Sequence, residues 1–294
     1  MNDVQKNHRP RKKVGLALGG GGAKGLVHIG VIKALEKAGI PIDFVAGTSM
    51  GALVGGWYAA TRNIIFLENI FLKIKKEDMI PSEAVKGVES SSLFKSEVFA
   101  KLLVKLLDDK KIEQCSLPFR AVATNVENGQ EVILSQGSLV DAIRASIALP
   151  VAFQPIKAEG RLLMDGGICN PVPANIVRQM GADFVIAVDV SSRWMRIDND
   201  LADSKNAPSF IENAFSVMEY EIAQQVLKQA DVVMRPPVMS YDWLEFSRAK
   251  EIIAVGVEEA RRNMATIRKK GGYPKLAPRS VVEALTDFLS VENL

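Results

Sequence analysis

Two short apolar runs in this chain each end in a glycine-rich turn that leads straight into a helix-like segment, and that repetition leaves few folds open. Val14 to Leu18 runs into Gly19 to Gly25, and the apolar positions Val27, Val31, Ala34 and Leu35 then follow at helical spacing until Gly39 stops them. Asp43-Phe44-Val45-Ala46 runs into Gly47-Thr48-Ser49-Met50-Gly51, with a second helix expected through about Ala60. Strand, helix, strand, helix in succession implies parallel pairing through a right-handed crossover. The expected fold class is α/β, a three-layer α/β/α sandwich with a mainly parallel central sheet.

The rest of the chain fits that plan. Asn63 to Lys76 and Lys95 to Leu107 read as an inserted pair of amphipathic helices, whose simplest role is to cover the core and whose other option is to cap a substrate site. Phe119 to Val126 resumes the sheet, and Asn128-Gly129 is a hairpin turn before Glu131 to Leu134. A helix over Leu139 to Ala148 stops at Leu149-Pro150. Arg161 to Met164 is a short strand closed by Asp165-Gly166-Gly167, and Asp183 to Val190 is the most β-like run in the chain. Ser191 to Ala207 reads as a loop, and Pro208 to Gln229 and Phe246 to Lys270 read as helices. The expected organisation is a basic flexible tail over residues 1–13 and one domain over 14–294, with the glycine-rich turns and strands in 14–190 and a mainly helical part over 208–294.

Composition narrows the function classes. At 294 residues, 48% hydrophobic and 24% charged, the chain has the make-up of a globular protein and too little polar excess for a disordered one. The 37 basic against 34 acidic residues leave +3, too small an imbalance to imply a nucleic-acid partner. Lys6, Arg9, Arg11, Lys12 and Lys13 cluster ahead of the first strand, which fits a solvated terminus or peripheral contact with an anionic membrane. No apolar run approaches the roughly 18 residues of a spanning helix, and the expected location is cytoplasmic, with peripheral contact at the inner membrane face as an option. Cys115 and Cys169 match neither a metal spacing nor a disulfide framework.

The chemistry centres on Ser49. Gly47 and Gly51 let the chain turn sharply enough to lift the Ser49 hydroxyl out at the end of a strand, the arrangement of a nucleophile elbow. With parallel strands, the glycine loop and Ser49 emerge on the same sheet edge, and two helix starts then face one space. Unpaired amides at Gly20, Gly21, Gly22 and Ala23, supported by Met50, suit a developing oxyanion. A serine esterase usually carries a histidine base, yet the chain has only His8 in the tail and His28 inside the first helix, where it reads as a packing residue. Asp165 is the best available base. Its reference pKa of about 3.9 requires a desolvated site or proton transfer coupled to attack.

Other readings compete for the same loop. Gly20, Gly22 and Gly25 satisfy GxGxxG, and Asp43 follows at about the 20-residue distance of a dinucleotide-binding unit. Against this, the ribose carboxylate should stand at the end of the second strand, whereas Asp43 begins it. A Walker A loop fails because Ala23 and Gly25 flank Lys24 and leave no adjacent hydroxyl for magnesium. Lys24 reads as a solvated charge at a helix start or as a contact for an anionic head group.

Taken together, these residues resemble the patatin-like phospholipase family over roughly Val14 to Val190. Gly20-Gly21-Gly22-Ala23-Lys24-Gly25 is similar to its oxyanion loop, Gly47-Thr48-Ser49-Met50-Gly51 to its elbow, and Asp165-Gly166-Gly167 to its second catalytic motif. Arg144-Ala145-Ser146-Ile147-Ala148-Leu149-Pro150 resembles a further family block, and Val27-His28-Ile29-Gly30-Val31 resembles bacterial members and the neuropathy-target-esterase branch. The resemblance implies a serine acyl hydrolase with a Ser49–Asp165 dyad and neither metal nor other cofactor. Its implied substrates are phospholipids, lysophospholipids or other long-chain acyl esters. Two alternatives stand beside it: a lipid-binding regulatory protein with little turnover, and a dinucleotide-dependent oxidoreductase.

Overall fold

The computed structural model describes residues 10–74, 107, 109–150, 154–158, 160–191 and 207–274. The sheet is built from β1 (Val14–Leu18), β2 (Phe44–Thr48), β3 (Phe119–Asn125), β4 (Glu131–Leu134), β5 (Ile156–Ala158), β6 (Arg161–Asp165), β7 (Phe184–Val188) and β8 (Val232–Met234). Parallel pairing joins β8, β7, β1, β2 and β3 in that order. The expected α/β sandwich and its mainly parallel sheet are therefore what the chain forms. The helices are α1 (Val27–Lys37), α2 (Met50–Thr61), α3 (Ile64–Phe71), α4 (Leu139–Ser146), α5 (Ala174–Gln179), α6 (Ala207–Val226) and α7 (Ala249–Gly271).

The three layers follow from the period-2 alternation of strand side chains. Leu16, Leu18, Val45, Phe119, Ile186 and Val188 enter a large core shared with α1, α2, α3, α4 and α7. Their neighbours Ala17, Ala46, Val122, Val185 and Ala187 enter a second core with α5 and Ala223 of α6. The second face carries the smaller residues, so its helices lie close. A Cβ on Gly15 would collide with the Cβ atoms of Ala182 and Val177.

The hairpin expected at Asn128-Gly129 forms, with β4 antiparallel to β3. More consequential is the other edge of β3. Ala121 to Thr124 pair with β4, so β2 and β6 must share the opposite edge, β2 along Phe119 to Val122 and β6 along Ala123 to Asn125. β2 runs parallel to β3 and β6 antiparallel, so their carboxyl ends meet head to head. Thr48 stands opposite Val122 and Asp165 opposite Ala123, the next residue along.

The inserted helix expected from Asn63 begins with an Asn63 cap, whose side chain accepts the Phe66 amide at 3.0 Å. It buries Ile64, Leu67 and Phe71 against the core. The second inserted helix and the loop from Ser191 lie outside the described residues apart from their ends at Leu107, Ser191 and Ala207. Of the five basic residues near the N-terminus, Lys6 and Arg9 also lie outside them. The other three are fastened to the body. Arg11 forms a two-pronged ion pair with Asp43 at 2.6 and 2.7 Å, Lys12 donates to the Lys270 carbonyl, and the Lys13 amide donates to Asp183.

Candidate active site

Ser49 occupies φ 54°, ψ −123°, a backbone conformation that a residue with a Cβ rarely holds. The surroundings explain why it persists. A Cβ on Gly47 would strike the Gly51 carbonyl and the Ala52 nitrogen, and one on Gly51 would strike the Leu18 and Gly19 carbonyls. The turn is thus wedged between its own helix and the end of β1, and neither glycine can be enlarged. The Ser49 amide donates to Ser146 Oγ at 2.9 Å, and Ser146 Oγ donates in turn to the Val122 carbonyl at 2.6 Å. Fully buried Ser146 therefore ties the turn to β3. It sits in a block singled out in the sequence, yet nothing in its spacing revealed this bond.

The glycine loop lies directly beside Ser49, and a Cβ on Gly20 would sit 3.2 Å from the serine Cβ. Gly21 and Gly22 adopt φ 142° and 55°, conformations that favour glycine. The five expected amide donors divide into two groups. The Gly20 amide donates to the Pro171 carbonyl at 3.0 Å and the Ala23 amide to the Trp243 carbonyl at 2.7 Å, so both are already engaged. Gly21, Gly22 and Met50 have no such backbone acceptor among the described residues and stand at the starts of two helical segments. Three of the five expected amides are therefore left without a backbone acceptor among the described residues. Gly25 packs on Met50, where a Cβ would collide with the methionine side chain, so loop and elbow are fixed to each other.

Asp165 reaches this place from β6. It is 1% exposed; its Oδ1 accepts the Gly167 amide at 2.8 Å, and its carbonyl accepts the Thr124 hydroxyl at 2.8 Å. Burial raises its pKa to about 6, against the opposing pull of the Gly167 amide and the neighbouring Ser49 hydroxyl. This is the desolvation that an aspartate needs to act as a base near neutral pH. Gly166 has no room for a side chain, since a Cβ would meet the Val122 carbonyl.

His28 takes a different position. Its Nε2 stands 2.8 Å from the Gly19 carbonyl, which can only accept, so the ring carries its proton there. Burial lowers its pKa to about 4, and Nδ1 has no partner among the described residues. A neutral ring engaged with the loop backbone holds the glycine turn in place, in keeping with a packing role. Asp43 is spent on Arg11 and on the Val14 amide at 2.7 Å, at the sheet end opposite the glycine loop. That placement removes the carboxylate on which dinucleotide binding rested.

Lys24 departs from the expectation of a solvated charge, because it is 8% exposed. Its charge acts through space on Glu219 of α6, a residue that carries no local signal in the sequence because a single acid in a long helix reads as surface. Trp243 was likewise missed. Its carbonyl holds Ala23 and its indole fills the space where a Gly22 side chain would stand. Cys115 and Cys169 are free thiols, both partly buried. Among the described residues no three His, Cys, Asp or Glu side chains converge as metal ligands.

Fold and site define an α/β sandwich protein with a strained elbow serine, a glycine loop beside it and a desolvated aspartate. The chain belongs to the patatin-like phospholipase family, whose model matches residues 16–178, more than half of its length. That segment contains the glycine loop, the elbow and the Asp165 turn. Over 298 residues the chain is 30% identical to lysophospholipase NTE1 of Pyricularia oryzae, covering 93% of this chain and 20% of that protein. Over 271 residues it is 33% identical to patatin-like phospholipase domain-containing protein 6 of Homo sapiens, covering 83% of this chain and 20% of that protein. The chain thus spans about a fifth of the length of the curated relatives it matches. Among solved structures, VipD from Legionella pneumophila superposes with a TM-score of 0.48 at 13% identity, covering 87% of this chain and 67% of that one.

Proposed function

We propose that this chain is a serine acyl hydrolase that cleaves lipid acyl esters, with phospholipids and lysophospholipids as the substrate class, using Ser49 as nucleophile and Asp165 as base. The observation that carries the reading is the meeting of the β2 and β6 ends on one edge of β3, which brings an elbow serine to a buried aspartate whose pKa is raised. Family membership and the lysophospholipase name of one relative support the lipid class.

In this reading Ser49 Oγ bonds to the ester carbonyl carbon as its proton passes to Asp165. The oxyanion is met by the amides of Gly21, Gly22 and Met50. Collapse breaks the bond to the alcohol oxygen, which leaves with the proton from Asp165. Water then gives a proton to Asp165 and adds to the acyl carbon, the acyl–Oγ bond breaks, and the proton returns to Ser49. We also take residues 14–294 as one catalytic domain, since β8 completes the same sheet and α7 packs against α1. Among the described residues no helix is long and apolar enough to cross a membrane; peripheral contact with an anionic lipid surface is part of this reading, resting on the basic cluster near the N-terminus.

The test is hydrolysis of a short-chain p-nitrophenyl ester and a panel of phospholipids and lysophospholipids, with EDTA present, by wild type, Ser49→Ala and Asp165→Asn. Ser49→Ala should reduce the activity to background, and Asp165→Asn should lose about 10²–10⁴-fold. Equal rates for all three folded proteins would refute the dyad. Vesicle binding by all three without turnover would favour a lipid-binding protein instead.

A further inference from the structure

Glu219 reaches the candidate site from α6, beyond residues 16–178 that the family model matches. Its carboxyl borders the same space as the Asp165 carboxyl. A Cβ placed on Gly167 would collide with Glu219 Oε1 while lying 3.2 Å from Asp165 Oδ1. The two acids are not equally provided for. Asp165 has the Gly167 amide and the Ser49 hydroxyl to favour its charge. Glu219 has no hydrogen-bond partner among the described residues, and it feels its neighbours only through space.

Those neighbours come from three directions. Asp165 at the end of β6 and Asp189 beyond β7 oppose its ionisation, and Lys24 in the glycine-loop turn favours it. Asp189 is itself paired with Arg235 at 3.3 Å and bonded to Ser191, which weakens its influence. Glu219 is half-buried where Asp165 is enclosed; two carboxyls so close resist ionising together, and the charge of the one without protein donors is the less favoured. Burial, the largest cause, together with Asp165 pushes the Glu219 pKa up to about 8. A protonated carboxyl without an acceptor among the described residues has an O–H to give to whatever occupies the space.

We propose that Glu219 is the second acid of this site, facing the bound ester across from Asp165 as a hydrogen-bond donor. The inference rests on the acyl-hydrolase reading and deepens it. The partner is an oxygen of the substrate, on the ester or on the glycerol beside it. Ionisation of Glu219 removes that donor and sets a negative charge against both the developing oxyanion and the phosphate of a phospholipid.

The pH dependence of kcat/KM, corrected for spontaneous hydrolysis, tests this with wild type, Glu219→Gln and Glu219→Leu. Wild type should rise through a pKa near 6 and fall above about 8, by about tenfold per pH unit. Glu219→Gln keeps a donor that does not titrate, so the alkaline limb should vanish while the acid limb remains. Glu219→Leu removes the donor and should lose about tenfold or more at pH 7. A Gln variant that still falls above pH 8, or a Leu variant as active as wild type, would overturn the proposal, since a purely structural role shifts melting temperature and not the limb.

A carboxyl-carbon NMR titration separates this inference from the reading beneath it. The resonance missing from Glu219→Gln should titrate well above an ordinary glutamate in wild type, and lower once Asp165→Asn removes the like charge. If that holds in a protein without hydrolase activity, the acyl-hydrolase reading fails and the paired acids stand. If hydrolysis requires Ser49 and Asp165 but Glu219 titrates at an ordinary value, this inference alone falls.

Discussion

Ser146 illustrates how much of the site hangs on a side chain that does no chemistry. One buried hydroxyl accepts from the Ser49 amide and donates to the Val122 carbonyl, so it spans the elbow and the strand against which β2 and β6 meet. Ser146→Ala would leave both backbone groups unpaired in a dry place, a cost of about 1–3 kcal/mol. The variant should therefore melt several degrees lower. Because the elbow loses its tie, it should also hydrolyse esters more slowly, and thermal unfolding and ester hydrolysis on the same preparation check both. Ser49, Asp165 and the glycines were legible in the sequence because each sits in a turn that its neighbours define. Ser146, Trp243 and Glu219 were not, since their partners lie far along the chain and no spacing announces them.

The helices owe their positions to places where backbones touch. Gly30 of α1 and Gly256 of α7 face each other's main chain. A Cβ on Gly30 would strike the Ile253 carbonyl and the Val257 nitrogen, and one on Gly256 would strike the Val27 carbonyl. Alanine normally favours a helix over glycine by about 1 kcal/mol. Here the clash meets rigid backbone and should outweigh that gain, for a net loss of about 1–3 kcal/mol in Gly30→Ala or Gly256→Ala. Thermal melts of the single and double variants check this, and the double should lose less than the sum, because either change already forces the helices apart. Long periodic elements such as α1, α6 and α7 were readable in advance. The three-residue strands β5 and β8 were missed, as was the short helix α5, because such segments are too brief for a pattern and form only against a neighbour.

Across the molecule, the site places an acid where the fold would be more stable without its charge. Asp165 has a pKa of about 6 when folded against an unfolded value near 3.8, so its contribution to stability is complete below the unfolded value and is lost as pH rises through 6. His28 works in the opposite sense. Neutral and buried with a pKa of about 4, it takes up a proton more readily when unfolded, and stability is lost as pH falls from about 6.5 toward 4. Asp165→Asn should then be more stable than wild type at pH 8 by on the order of 2 kcal/mol. The advantage should shrink below pH 6 and close near pH 4, which melting temperatures measured across that range would reveal. A variant that loses activity while gaining stability would mark Asp165 as a group held for function rather than for folding.

The layered α/β architecture and the glycine-lined turns were set by local chemistry: alternating and helical apolar periods, and glycines where the chain must bend or pass close to itself. Which amides of the glycine loop already have acceptors, how Asp165 comes to Ser49, and how Glu219 of α6 comes near Gly167 are matters of long-range packing. The reason is physical. A turn is specified by its own few residues, whereas the meeting of β2 and β6 on one edge of β3, and the desolvation that follows, exist only once strands distant in the chain have paired.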